Sequence, residues 1–126
     1  MNVESATSSK AVRVLLADSR PMESQLLAGA LRNHEFCVFS CESDAGAVLQ
    51  SLESAAVDVL IISCATQGAP EITTLLTIHF PSPEIPKNVL LDSDRRDIVV
   101  QAFRFGARGI FCLAYSSFLS FCESIQ

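Results

Sequence analysis

Charge is scarce in this sequence. Only 18% of its 126 residues are Asp, Glu, Lys or Arg, against about 25% in ordinary soluble domains. Combined with an apolar share of 49%, that scarcity excludes a disordered chain or a charged coiled coil. The net charge of −5 argues against generic attraction to a phosphate backbone, so no direct nucleic-acid binding is expected of this chain. Long apolar runs are missing as well. None approaches the roughly 18 residues of a membrane-spanning helix, and the first ten residues, MNVESATSSK, lack the apolar core of a signal peptide. The expected location is cytoplasmic, away from membranes.

Cysteine pairing patterns are also absent. Cys37, Cys41, Cys64, Cys112 and Cys122 contain no C-x-x-C spacing, and His34 and His79 complete no zinc pattern. They read as reduced thiols acting as small buried hydrophobes. Between Arg108 and Glu123 lie fourteen residues without a single charge, a local deficit that bears on function below.

What is present is an alternation of two periods. Residues 1–10 read as a disordered tail and 11–126 as one domain, a size that supports a single core. VRVLLA (Val12 to Ala17) reads as a buried strand, and Pro21 opens a helix whose inward face is Met22, Leu26, Leu27, Ala30 and Leu31. Phe36 to Cys41 reads as a second strand. Ser43 is the expected N-cap of a helix carrying Ala45, Val48, Leu49 and Leu52 on one face. VDVLII (Val57 to Ile62) has the near-continuous apolar character of a central parallel strand. A weaker helix follows from about Glu71 to His79, and then a strand at Val89 to Leu91. Asp94 to Phe105 reads as a helix with Ile98, Val99, Ala102 and Phe103 inward, ended by Gly106. A fifth strand, Gly109 to Leu113, precedes a final helix from Ser117 to Ile125. Five β-α repeats with short connections predict an α/β three-layer sandwich, the flavodoxin-like (βα)5 fold with strand order 2-1-3-4-5. Such folds place their sites beyond the C-terminal ends of the strands. The residues to question are therefore Asp18, Ser19, Ser63, Cys64, Leu91, Asp92, Ser93 and Leu113.

Three passages carry a family resemblance. VRVLLADSRPMESQLLAGAL resembles the opening of a bacterial response-regulator receiver domain of the NarL/LuxR type, in the CheY-like superfamily. VDVLIIS resembles its third strand, and QAFRFGARGIFCLAYSS its passage through the fourth helix, fifth strand and fifth helix. The resemblance implies a phosphorylation switch in two-component signalling, in which an aspartate ending the third strand takes a phosphoryl group. An acidic pair after the first strand would bind Mg²⁺ with that aspartate, a lysine after the fifth strand would neutralise the phosphoryl oxygens, and a Ser/Thr and an aromatic would relay the change.

Position by position, the chemistry departs from that pattern. Asp18 keeps one acid, but Ser19 follows it. The acceptor position falls on Ser63, the Ser/Thr position near Leu91 or Asp92, the aromatic on Ile110 and the lysine on Leu113. One carboxylate in place of three removes most of the charge that holds a divalent ion, and a lysine left there would be a costly unpaired cation. The expected entity is a pseudo-receiver: not an enzyme, with no catalytic residue and no cofactor, and with Mg²⁺ binding lost or weak. Asp18 reads as a carboxylate at a helix N-terminus and as the hydrogen-bond neighbour of Ser63. Asp92, Asp94 and Asp97 beside Arg95 and Arg96 read as helix-start chemistry, not as a metal site.

Five phenylalanines lie late in the chain. Phe105, Ile110, Phe111, Phe118 and Phe121 are the expected interface, since this end lacks the charges of a solvated face. The partners expected are a second copy of the chain and a C-terminal output domain beyond Gln126, which the family resemblance would make DNA-binding. Two alternatives accompany this reading: a small-molecule-sensing pocket lined by Ser19, Ser63 and Leu113, and a weak residual phosphoacceptor using Asp18 and Asp92.

Overall fold

The computed structural model describes residues 11–64, 74–75, 77–79, 83–91 and 96–112. Chain order is β1 (Arg13–Ala17), α1 (Pro21–Asn33), β2 (Cys37–Cys41), α2 (Ala45–Ser54), β3 (Val59–Cys64), β4 (Lys87–Leu91), α3 (Arg96–Arg104) and β5 (Gly109–Cys112). The strands form one five-stranded parallel sheet of order β2-β1-β3-β4-β5. This is the expected flavodoxin-like order. Its chain reversal places the C-terminal ends of β1 and β3 side by side, with Ala17 opposite Ile62.

Strand alternation splits the core in two. Leu15, Ala17, Leu60, Ile62, Val89 and Leu91 meet Val48 of α2, Ile98 and Ala102 of α3, and Leu75 and Ile78. Val14, Leu16, Val38, Val59, Ile61 and Leu90 turn to the other face, where α1 supplies Ala28 and Leu31. Period-two alternation with both faces covered explains why β3 reads as continuously apolar.

Two helix faces differ from expectation. In α1, Leu31 is buried and Leu27 packs against the core as expected, but Met22 and Leu26 are 77% and 72% exposed while Ser24 and Ala28 are buried. Small Ser24 and Ala28 let the helix backbone approach the sheet closely, so the larger apolar residues at 22 and 26 are turned outward. In α3, Ile98 and Ala102 are buried but Phe103 is 52% exposed. Phe103 sits one position, about 100° of helical rotation, beyond the line that faces the sheet.

Capping differs too. Asp44, not Ser43, caps α2, accepting a 2.7 Å hydrogen bond from Ala47 N–H. Gly106 does end α3. Its φ is +105°, and Gly106 N–H reaches Phe103 O while Ala107 N–H reaches Ala102 O, the paired bonds of a Schellman motif. A side chain at this glycine would run into the His79 ring.

The fourth strand starts two residues earlier than Val89, with Lys87 and Asn88 inside the sheet and buried. Lys87 Nζ donates to Ile85 O at 2.9 Å. Burial pushes its ammonium below the usual lysine value, opposed by Glu84. Cys37 is exposed and Cys41 half-buried, so neither is the buried hydrophobe expected of it. Both lie on β2, an outer strand of the sheet. Arg32 Nη2 donates to Val38 O at 3.2 Å, covering one outward carbonyl of that edge. Among the described residues, no helix is long and apolar enough to cross a membrane.

Candidate functional site

Beyond Ala17 the chain turns through Asp18, Ser19 and Arg20 into α1. Asp18 is held on both sides of this turn. Its N–H donates to Cys41 O at 3.1 Å, and its Oδ1 accepts from Arg20 N–H at 2.9 Å and Arg20 Nε at 3.1 Å. Arg20 is the residue preceding Pro21, the first of α1, and its own side chain caps nothing. Asp18 therefore closes the turn at the helix entrance without reaching the free N–H groups of the first helical turn.

Arg20 then continues across the sheet. Its Nη2 donates to Ser63 Oγ at 2.8 Å, and its Nη1 lies 3.3 Å from Glu23 Oε1. Asp18 and Ser63 are each 5% exposed, so the guanidinium joins two buried groups at the adjoining ends of β1 and β3. The expected direct bond between Asp18 and Ser63 is replaced by this bridge. Arg20 is the site residue that the strand-end positions did not reveal. Its signal was local: a cation two residues after Asp18, followed by the proline that starts α1.

Ser19 serves a second junction. Its Oγ accepts from Ser43 N–H at 2.9 Å and lies 2.7 Å from Ser43 Oγ. Ser43 O in turn accepts from Thr74 Oγ1 at 2.7 Å. Ser43, displaced from its expected cap role, ties the turn after β1 to the one after β2. Asp92 and Leu113 lie outside the described residues, as do Phe118 and Phe121. Phe105 and Ile110 pack partly against the core, and Phe111 lies in β5 opposite Leu90.

The donor set fits a divalent ion poorly. Mg²⁺ is usually held by carboxylate and water oxygens in octahedral array. Here Asp18 is the single described carboxylate at the adjoining ends of β1 and β3, and its Oδ1 already faces a guanidinium at 3.1 Å. Among the described residues, no group of three or more His, Cys, Asp or Glu could hold a metal.

Beside this bridge a groove of about 510 Å³ runs between α1 and the end of β2. Asp18, Ser24, Gln25, Arg32, Cys41 and Glu42 are among its walls. Asp18 Oδ2 is buried and has no hydrogen-bond partner among the described residues. The Cys41 thiol is pushed above its usual value, first by burial and further by Asp44 and Glu42, against a hydrogen bond with Ser51 that lowers it.

Solved structures share this architecture. The Vibrio cholerae chemotaxis protein CheY4 superposes with a TM-score of 0.78 at 16% identity, over 92% of this chain and 99% of that one. A LuxR-family DNA-binding response regulator from Staphylococcus aureus gives 0.76 at 15% identity, over 90% of this chain and 95% of that one. The signal receiver domain of the response regulator NarL from Mycobacterium tuberculosis gives 0.73 at 19% identity, over 91% and 93%. The fold is thus that of a response-regulator receiver domain. No protein-family model matches the sequence, and no curated protein matches it.

Proposed function

We propose that this chain is a receiver-like regulatory domain that carries no phosphoryl group on an aspartate. On this reading it is not an enzyme, needs no Mg²⁺, and acts by dimerising or by contacting an output domain. One observation carries the reading: the Arg20 guanidinium spans Asp18 and Ser63 at 3.1 and 2.8 Å. In a phosphorylating receiver, a metal and a lysine would balance several carboxylates and the incoming phosphoryl group. With Ser63 at the acceptor position no acyl phosphate can form there, and a single internal cation balances the single remaining acid. A positive charge 3.1 Å from Asp18 also repels a dication from that oxygen. The switch region is then held by a fixed ion pair where a phosphorylating receiver has a reversible charge.

Incubation with acetyl phosphate and Mg²⁺, followed by mass spectrometry of the intact chain, tests this. The expected spectrum is unmodified. An acid-labile phosphoryl adduct that disappears in Asp18→Asn would establish residual phosphoacceptor chemistry and overturn the reading. The exposed Phe103 and Val100 on α3 support a contact role for this face. Sedimentation of the chain across a concentration series reads dimerisation directly.

A further inference from the structure

We infer that the outer edge of β2 is an interface between two copies of this chain, paired antiparallel about Ser40, with Arg32 of each copy facing the partner's Glu42. The inference does not rest on the loss of phosphoryl chemistry, and it names a surface other than the α3 face.

Backbone geometry defines the edge. β2 is an outer strand of the sheet, and one side of it is taken up by β1. Cys37 N–H donates to Val12 O, and Cys41 O accepts from Asp18 N–H. Strand alternation therefore turns the peptide groups of Val38 and Ser40 outward. Val38 O is held by Arg32 Nη2. Among the described residues nothing holds the Val38 N–H or the Ser40 N–H and C=O, and Ser40 is exposed. Open donors and acceptors on an outer strand are a template for another strand.

Charge selects the occupant. Arg32 lies against Val38. Glu42 lies four positions further along the same edge, exposed and without an ion pair among the described residues. The edge thus carries a cation at one end and an acid at the other, so it is complementary to its own reverse. An antiparallel pair with Ser40 opposite the partner's Ser40 sets Val38, and Arg32 with it, opposite the partner's Glu42. Two-fold symmetry repeats the contact, and the two Ser40 residues exchange a pair of N–H···O bonds. The same register brings Phe39, 38% exposed, beside the partner's Cys41 on the sheet face away from α1. On the other face, the groove of about 510 Å³ with Arg32, Ser40 and Glu42 on its walls has room for the partner's Ser40 and Glu42 side chains. A foreign strand would need the same two charges in reverse order; a second copy supplies them by symmetry.

Sedimentation of the whole chain from roughly 1 μM to 1 mM is expected to show a monomer–dimer equilibrium. Arg32→Glu and Glu42→Arg each set like charges across both ends of the seam and should raise the dimer Kd at least about tenfold. The double variant reverses both charges and should return the Kd to within about threefold of the parent. Cross-linking reads the register. Opposed Ser40 residues put their Cα atoms about 5.5 Å apart, inside the roughly 4.4–6.8 Å of a disulfide. With copper–phenanthroline and air, dioxygen taking the two thiol protons and electrons, Ser40→Cys should form a dimer bridged between the two copies of position 40. Exposed Cys37 is the internal control, because the register holds the two Cys37 thiols six positions apart, about 20 Å. A chain that stays monomeric at about 1 mM overturns the inference. So does a dimer indifferent to the single charge reversals or not restored by the double one, or bridging through Cys37 as readily as through position 40. Such a dimer on another face leaves the absence of aspartyl phosphate untouched, which the acetyl phosphate experiment reads separately.

Discussion

Arg20 Nη2 donates a 2.8 Å hydrogen bond to Ser63 Oγ, joining residues 43 positions apart. The same guanidinium pairs with Asp18, whose side chain is 1% exposed, while Arg20 itself keeps 27% of its side chain in solvent. One arginine therefore fixes the relation between the ends of two neighbouring parallel strands.

Arg20→Gln should destabilise the chain by about 1–3 kcal/mol. It leaves the Asp18 carboxylate buried without its counter-charge, and the exposure of Arg20 keeps the loss below that of a fully buried pair. Asp18→Asn combined with Arg20→Gln should cost less than the sum of the single changes, because each single variant strands the other partner. Urea denaturation of the four proteins in this cycle measures both effects.

Gly106→Ala should destabilise by about 1–3 kcal/mol, since φ of +105° is unfavourable for a residue with a Cβ. The added methyl also meets the His79 ring. Gly29, which has open space around it, lies within α1, and Gly29→Ala should stabilise by about 0.5–1 kcal/mol. Opposite signs for the two glycines in thermal melts check the assignment of the α3 terminus.

Lys87 sets an alkaline pH dependence. Its folded-state pKa lies below the ordinary 10.5, so between the two values the unfolded chain binds more protons. Stability attributable to this group therefore rises with pH across that window. Lys87→Met should flatten this rise relative to the parent, read as denaturation midpoints through the alkaline range.

The two cysteines of β2 should react at different rates. Cys37 is exposed, whereas Cys41 is half-buried with a raised pKa. Less thiolate and less access both slow alkylation. Peptide mapping after brief iodoacetamide treatment near neutral pH should find Cys37 labelled first, and Ser51→Ala, which removes the hydrogen bond that lowers the Cys41 pKa, should slow Cys41 further.

The sheet was readable because its signal is one-dimensional. VDVLII and VRVLLA carry unbroken apolar runs, Val59–Ile62 and Val14–Ala17, where both faces of the sheet are covered, and β-α alternation with short connections leaves few topologies. Gly106 was readable for the same local reason. The orientation of α1 was not. Met22 and Leu26 satisfy a helical stripe as well as Ser24 and Ala28 do, and which stripe faces inward depends on how closely the helix can approach the sheet.

Residue identity and periodicity alone specify an acidic α/β domain of order 2-1-3-4-5, low in charge, with a serine at position 63 and one acid, Asp18, after the first strand. These follow from periodicity and from residue identity at strand ends. What balances that acid emerges from the folded arrangement. Arg20 lies two residues from Asp18 but 43 from Ser63, and parallel pairing of β1 with β3 brings both within reach of one side chain. Periodicity specifies which elements form. Long-range pairing of their ends brings Asp18, Arg20 and Ser63 together.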